Sequence, residues 1–138
     1  MSGEKWNMRS GSSLLLDSCA VISYFKDHVG VTELLRKAEQ LHLPLVVYGE
    51  LYFGALKARN SSRRLRELEE FLSIVTLIRP NQETAEIYSE IRLQLSLIGK
   101  PIPENDLWIA ATAKQYELPV MTNDQHFKLI EGVNLIWN

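Results

Sequence analysis

The chain has 138 residues, with 15 basic and 17 acidic side chains and a formal net charge of −2 at pH 7. This length is typical of one domain, and a hydrophobic fraction of 46% excludes disorder of the whole chain. The charge balance gives no support to nucleic-acid binding through overall charge, and the single cysteine, Cys19, excludes an internal disulfide and fits a reducing compartment.

Residues 1–12 (MSGEKWNMRSGS) are polar, rich in glycine and serine, and without hydrophobic periodicity. We predict a flexible leader there, followed by a single domain over residues 13–138. No apolar run approaches the roughly 20 residues that span a bilayer. Asp17 interrupts the first apolar stretch, which argues against a signal peptide. We therefore expect a soluble, cytoplasmic protein that does not bind membranes.

Short apolar runs alternate with longer helical patterns in the first half of the chain. Residues 14–16 predict a buried strand, and residues 18–26 and 31–41 predict two helices. Residues 45–47 predict a strand, or an extended entry into a helix that carries Glu50.

The second half continues the alternation. The segment 60–62 (NSS) is a break and an N-cap signal for the next helix. The later predicted elements are a strand at 75–78, a helix at 84–98 closed by Gly99, a helix at 106–116, and strands at 120–122 and 133–137. Strands separated by helices imply parallel pairing with right-handed crossovers, and therefore an α/β sandwich with helices on both faces.

Four acidic residues lie next to apolar segments that are predicted to be buried: Asp17, Glu50, Asp106 and Asp124. A carboxylate at the edge of a core is costly unless a partner or a cation compensates it. Asp17 and Asp124 follow predicted strands, and ligands of open α/β sheets bind beyond the carboxyl ends of strands. Converging carboxylates would form an oxygen-ligand site for Mg²⁺ or Mn²⁺.

Each acid also has a purely structural interpretation. Asp17 and Asp124 precede helical segments, where Asp is a common N-cap. Asp106 lies in the first turn of a predicted helix, where a negative charge suits the helix dipole. Glu50 is harder to explain in this way because it lies among apolar residues inside a helix. Gly54, one turn later, leaves room either for a bulky ligand or for tight helix packing.

A basic stretch follows the Glu50 segment, and it suits the phosphate backbone of a nucleic acid. The candidate residues for contacting such a backbone are Lys57, Arg59, Arg63 and Arg64. The alternative is a solvated helix face whose cations pair with acids one turn away.

The four acids and their neighbours resemble, in order and spacing, the PIN-domain nucleases, especially the VapC-like ribonuclease toxins of toxin–antitoxin pairs. The segments that carry this resemblance are 15–18 (LLDS), 46–55 (VVYGELYFGA), 103–111 (PENDLWIAA) and 122–127 (TNDQHF). The likeness covers residues 14–137. The departures are Cys19, where the family often has Ala, Asn or Ser, and Gly49, where Ala is frequent.

The resemblance implies a PIN-like three-layer α/β/α sandwich with a central, mainly parallel sheet of four to five strands. It implies a Mg²⁺- or Mn²⁺-dependent endoribonuclease that leaves 5′-phosphate and 3′-hydroxyl ends and acts as a toxin. Its partners would be RNA, a cognate VapB-like antitoxin and a second copy of the chain. The implied catalytic and metal-binding residues are Asp17, Glu50, Asp106 and Asp124, with Ser18, Asn105 and Thr122 in supporting positions.

Other functions compete with this one. They are a PIN nuclease that processes RNA without being a toxin, and a non-catalytic PIN fold that serves as a binding module. Phosphoryl transfer through Asp17 as nucleophile is disfavoured, because haloacid-dehalogenase-like phosphatases place a second Asp where this chain has Cys19. Cys19 itself is interpreted as a small buried filler, and His126 as a surface imidazole.

Overall fold

Strands and helices alternate along the chain as the apolar pattern predicts. The computed structural model describes residues 12–137, so the predicted leader lies, apart from Ser12, outside them. In chain order the elements are β1 (Ser13–Leu16), α1 (Ser18–Phe25), α2 (Val29–Lys37), β2 (Gln40–Pro44), α3 (Leu45–Leu56), α4 (Ser61–Leu72), β3 (Thr76–Ile78), α5 (Gln82–Leu97), α6 (Glu104–Tyr116), β4 (Val120–Met121), a 3₁₀ helix (Gln125–Leu129) and β5 (Leu135–Ile136). No helix in this part of the chain has the length and apolarity needed to cross a membrane.

The five strands form one parallel sheet in the order β3-β2-β1-β4-β5. Leu14, Leu15 and Leu16 of the central strand β1 are all fully buried. Successive side chains of a strand point to opposite faces, so helices must cover both faces of the sheet. This confirms the predicted α/β architecture and the predicted number of strands.

Chain order changes direction across the sheet at β1, which has β2 on one side and β4 on the other. In open α/β sheets such a switch point leaves a crevice at the carboxyl ends of the strands, because the crossovers on its two sides lead away from it. The residues that follow β1 and β4 therefore border one crevice.

The segment that leads into Glu50 differs from the prediction. The helix predicted over 31–41 ends at Lys37, and the strand predicted at 45–47 is the first turn of α3. The strand lies five residues earlier, as β2. Pro44 ends it, because proline has no N–H for the ladder, and its extended backbone (φ −64°, ψ 142°) makes it the N-cap of α3.

The sequence signal for β2 is the alternation of apolar and polar residues along the strand. Leu41 and Leu43 are buried, whereas Gln40 is exposed and His42 is half-buried. Val47 is fully buried in α3, so tertiary packing outweighs the preference of a β-branched residue for strands.

Helix ends follow the sequence signals closely. Asn60 caps α4 by accepting a hydrogen bond from the Arg63 N–H at 3.2 Å, as the NSS break predicts. Gly99 follows α5 with a φ of +68°, a left-handed conformation that favours glycine.

Candidate active site

The ends of β1 and β4 bring Asp17 and Thr122 side by side. The register pairs Leu16 with Met121, so Asp17 and Thr122 follow as the next pair. Thr122 Oγ1 donates a 2.7 Å hydrogen bond to Asp17 Oδ2, and both residues are buried. Asp17 thus lies at the sheet edge that the sequence predicts.

Asp17 also caps α1 with its other oxygen. The Ser18 N–H donates to Asp17 Oδ1 at 2.8 Å, so capping and a place in the acidic site are compatible. Burial raises the pKa of Asp17, and repulsion from Asp124 raises it further. Hydrogen bonds from Thr122 and from the Ser18 backbone lower the pKa, but the net shift is upward. The carboxylate is oriented by its neighbours, but within residues 12–137 no cationic side chain forms an ion pair with it.

Asp106 lies in the first turn of α6, and its side chain is only 10% exposed. Its Oδ2 atom is buried and has no hydrogen-bond partner among residues 12–137. Burial raises the pKa of Asp106 to about 8, and a hydrogen bond with Asp124 and repulsion from Asp124, Asp17 and Glu50 contribute in the same direction. A buried carboxylate oxygen without a donor is costly, and a cation would offset that cost.

Asp124 is the N-cap of the 3₁₀ helix, which the fully buried Phe127 anchors in the core. The His126 N–H donates to Asp124 Oδ1 at 2.9 Å, and the Asp124 N–H donates to Thr122 Oγ1 at 3.0 Å. Burial raises the pKa of Asp124, but hydrogen bonds from the His126 backbone, from the Asp106 carboxyl and from the His126 ring outweigh it, and the pKa is lowered. The two pKa values shift in opposite directions, as expected for neighbouring carboxyls that hold one proton between them when no cation is bound.

Glu50 reaches the same cluster from the middle of α3. It is the most exposed of the four acids. Burial nonetheless raises the pKa of Glu50, while a hydrogen bond from Asn105 lowers it and repulsion from Asp17 and Asp124 raises it further. Repulsion from Asp17 and Asp124 acts on Glu50, and repulsion from Asp124, Asp17 and Glu50 acts on Asp106, so the four carboxylates lie near one another at one site.

Two residues lie closer to this site than the sequence indicates. Cys19 is half-buried, with its Sγ 3.4 Å from Thr122 Oγ1 and 3.7 Å from Asp17 Oδ2. His126 is half exposed, but its Nδ1 lies 2.7 Å from Asp124 Oδ1 and 3.4 Å from Asp106 Oδ2. Each is two positions after an acid that caps a helix, and the first helical turn brings it back toward that acid. This spacing is the sequence signal that could have placed both residues at the site.

The four basic candidates are not equivalent. Arg63 and Arg64 pair with Glu67 at 3.8 Å and 2.9 Å, as the solvated-helix interpretation predicts. Lys57 and Arg59 are exposed. Arg64 also lines a cleft beside the acids, and the other three do not.

The donor set suits a divalent cation. Carboxylate oxygens are the ligands that Mg²⁺ and Mn²⁺ prefer. Within the described part of the chain, the buried Asp106 Oδ2 accepts no hydrogen bond, which leaves this oxygen free to bind a cation. Asp106, Asp124 and His126 each offer one ligand atom, and these atoms lie within 4.8 Å of one another. The residues present therefore fit a divalent metal ion.

Sequence comparison places these features in a family. Residues 14–133 match the sequence model of the PIN domain. Ribonuclease VapC2 of Haemophilus influenzae is 33% identical over 89 residues, which cover 64% of this chain and 67% of that protein. Ribonuclease VapC5 of Mycobacterium tuberculosis is 34% identical over 91 residues, with the same coverage of 64% and 67%.

Solved structures share the fold. A chain of the VapBC2 complex from Rickettsia felis, bound to a DNA fragment from its promoter, superposes with a TM-score of 0.83 at 24% identity, covering 91% of this chain and 99% of that one. VapBC-1 from nontypeable Haemophilus influenzae gives a TM-score of 0.81 at 25% identity, covering 89% and 96%. By its match over residues 14–133 and by this fold, the chain belongs to the PIN-domain family, alongside relatives named ribonuclease VapC.

Proposed function

We propose that this protein is a metal-dependent endoribonuclease that hydrolyses RNA phosphodiester bonds and acts as the toxin of a toxin–antitoxin pair. The observation that carries the proposal is the convergence of Asp17, Glu50, Asp106 and Asp124 beyond the carboxyl ends of β1 and β4. The relatives named ribonuclease VapC support RNA as the substrate. The solved VapBC complexes support an antitoxin as the partner.

The four acids would hold Mg²⁺ or Mn²⁺, and this ion supplies phosphate positioning, activation of water and stabilisation of the leaving oxygen. Thr122 and the Ser18 N–H hold both oxygens of Asp17 in place. Asp106 presents its buried Oδ2 to the site. Glu50, the most exposed acid with a raised pKa, is best placed to accept a proton from the attacking water. Attack by water leaves a 5′-phosphate and a 3′-hydroxyl, and the RNA 2′-hydroxyl takes no part.

A single domain over residues 13–138 would carry this activity, since it contains all four site acids, from Asp17 to Asp124. We propose that it works in the cytoplasm, with a second copy of the chain and an antitoxin as protein partners. Exposed apolar side chains support such interfaces. At the C-terminal part of α5 and just beyond it, Leu93, Leu97 and Ile98 are 59%, 76% and 59% exposed.

Cleavage of a labelled RNA in Mg²⁺ or Mn²⁺ tests the proposal. A chelator should abolish cleavage, and Asp17→Asn, Glu50→Gln and Asp106→Asn should each lower the rate at least about 100-fold while circular dichroism shows an intact fold. Glu33→Gln, an exposed acid on α2, is the matched control and should cleave normally. Retained cleavage in all three well-folded site variants would end the proposal. Absence of Mn²⁺ binding by calorimetry would favour a non-catalytic binding module.

A further inference from the structure

A cleft of about 310 Å³ adjoins the acidic site between α1, α3 and α4. Its lining includes Ser18 and Glu50 from the site, apolar side chains such as Phe25 and Leu51, and the cation Arg64. We propose that this cleft holds one unpaired nucleotide of the RNA next to the scissile phosphate. This inference rests on the proposed ribonuclease function and deepens it.

Continuity with the site is the first argument. Glu50 lines the cleft, and repulsion from Asp17 and Asp124 acts on the same carboxylate. An RNA strand whose scissile phosphate lies at the acids must continue over the adjoining surface. The volume is at the lower end of the range for small-molecule pockets, which suits a single nucleotide.

Charge complementarity is the second argument. Lys26 and Arg64 both line the cleft. Arg64 uses one Nη atom to bond Glu67 at 2.9 Å, and a guanidinium has five donors, so donors are left for a phosphate. Lys26 forms no ion pair with any residue from 12 to 137. Two cations at the cleft favour a phosphate-bearing strand over the apolar face of a peptide helix.

The apolar wall suits a nucleobase. Phe25 is half-buried and packs edge-on against Phe71, with ring centroids 5.6 Å apart. This contact holds the Phe25 ring in place, and Ile22 beside it in the cleft is 43% exposed. Unpaired RNA bases bind by stacking on side chains of this kind.

Gly54 keeps the cleft open. A Cβ added to Gly54 would meet no atom within 4 Å, so tight helix packing does not require glycine at this position. Glycine in a helix interior lowers the stability of the helix. Gly54 lies in the middle of α3 despite this cost, at a position that borders the cleft. A larger side chain at this position would fill the cleft without disturbing the fold.

The first test fills the cleft with Gly54→Leu. Binding of a fluorescein-labelled, 12-nucleotide single-stranded RNA of mixed sequence is measured by anisotropy, with Ca²⁺ in place of Mg²⁺. We expect at least a 10-fold weaker affinity at a melting temperature equal to or above that of the wild type. Gly49→Leu is the matched control: Gly49 is in the same helix, has no atom within 4 Å of an added Cβ, and does not line the cleft. It should bind RNA normally.

The second test compares Arg64→Gln with Arg36→Gln. Each change removes one charge and one ion pair, with Glu67 for Arg64 and with Glu33 for Arg36, but only Arg64 lines the cleft. Arg64→Gln should reduce the slope of log affinity against log salt by about 0.7, the value for one phosphate contact with a single strand. Arg36→Gln should leave the slope unchanged.

Normal RNA binding by both Gly54→Leu and Arg64→Gln would overturn the inference. So would a Gly54→Leu variant that keeps its RNA affinity but no longer binds a helical antitoxin peptide, since the cleft would then be a protein-docking site. Either result leaves the proposed function intact, provided that the wild type cleaves RNA in Mg²⁺. A wild type that neither binds nor cleaves RNA would overturn both.

Discussion

Thr122 Oγ1 donates a hydrogen bond to Asp17 Oδ2 at 2.7 Å and accepts one from the Asp124 N–H at 3.0 Å. One fully buried hydroxyl therefore links the acid after β1 to the acid that begins the 3₁₀ helix. Buried hydrogen bonds of this kind hold their partners in one arrangement, because water cannot compete for them. Thr122 is thus a positioning residue for two of the four acids.

Thr122→Val should keep the shape of the side chain and remove both hydrogen bonds. We expect metal affinity or cleavage rate to fall about 10- to 100-fold, as is usual when a group that orients a metal ligand is lost. Thr122→Ser, which retains the hydroxyl, should keep most of the wild-type metal affinity and cleavage rate. Calorimetric titration with Mn²⁺ and RNA cleavage measure the effect. Wild-type metal affinity in a folded Thr122→Val variant would contradict the positioning role.

Asp106→Asn should stabilise the metal-free protein at high pH. The pKa of Asp106 is about 8 in the folded state against about 3.9 in an unfolded chain. Between these values the folded state holds a proton that the unfolded chain has lost, so stability falls as pH rises through this window. The variant, which lacks this titration, should gain about 1 kcal/mol or more at pH 8 in a chelator. That gain corresponds to a melting temperature higher by about 3–5 °C.

The same variant should gain far less at pH 4, where the folded carboxyl is protonated and the unfolded carboxyl, with a pKa of about 3.9, is about half protonated. Thermal melts at the two pH values measure the difference. An equal gain at both would show that the effect comes from packing and not from the charge of Asp106. Mn²⁺ should raise the melting temperature of the wild type more than that of the variant, because the metal offsets the same buried charge.

Alkylation of Cys19 should inactivate the enzyme slowly. Burial raises the pKa of the Cys19 thiol, and repulsion from Asp17 adds to that rise, so the reactive thiolate is scarce at neutral pH. The rate of reaction with iodoacetamide should still increase between pH 8 and 9. The adduct would crowd Asp17 Oδ2, which lies 3.7 Å from Sγ, and cleavage should fall with the modified fraction measured by mass spectrometry.

Cys19→Ser is the control for this experiment. It should cleave RNA at a rate close to that of the wild type and resist iodoacetamide, since the chain has no other cysteine. Fully alkylated protein with normal cleavage would refute the prediction.

Asn81→Ala should weaken the junction between α5 and α6 without affecting catalysis. The Asn81 side chain accepts hydrogen bonds from the Thr84 N–H at 3.1 Å and from Gln115 Nε2 at 2.9 Å. Loss of such an N-cap costs about 1–2 kcal/mol, which lowers the melting temperature by roughly 3–8 °C. Asn60→Ala removes an exposed cap with a single bond and should cost less. Equal losses in the two variants would contradict the role of the Gln115 contact.

Local signals in the sequence were sufficient for much of the architecture. The three leucines of β1 predict a buried strand because a strand that is covered on both faces buries a continuous apolar run. Asn60 and Gly99 mark helix ends because capping and a left-handed backbone are properties of one or two residues. The strand β2 was misplaced because Val46 and Val47 favour strands locally, and the burial that keeps them in α3 is not a local property.

For the site, the residues alone indicate that four acids border apolar segments and that their oxygens suit a divalent cation. Three further facts come from the fold: Thr122 binds Asp17 across 105 positions of the chain, Asp106 Oδ2 accepts no hydrogen bond within residues 12–137, and Gly54 faces open space. These facts depend on which strands become neighbours in the sheet. Strand order follows from the packing of the whole core, and no short segment of sequence encodes it.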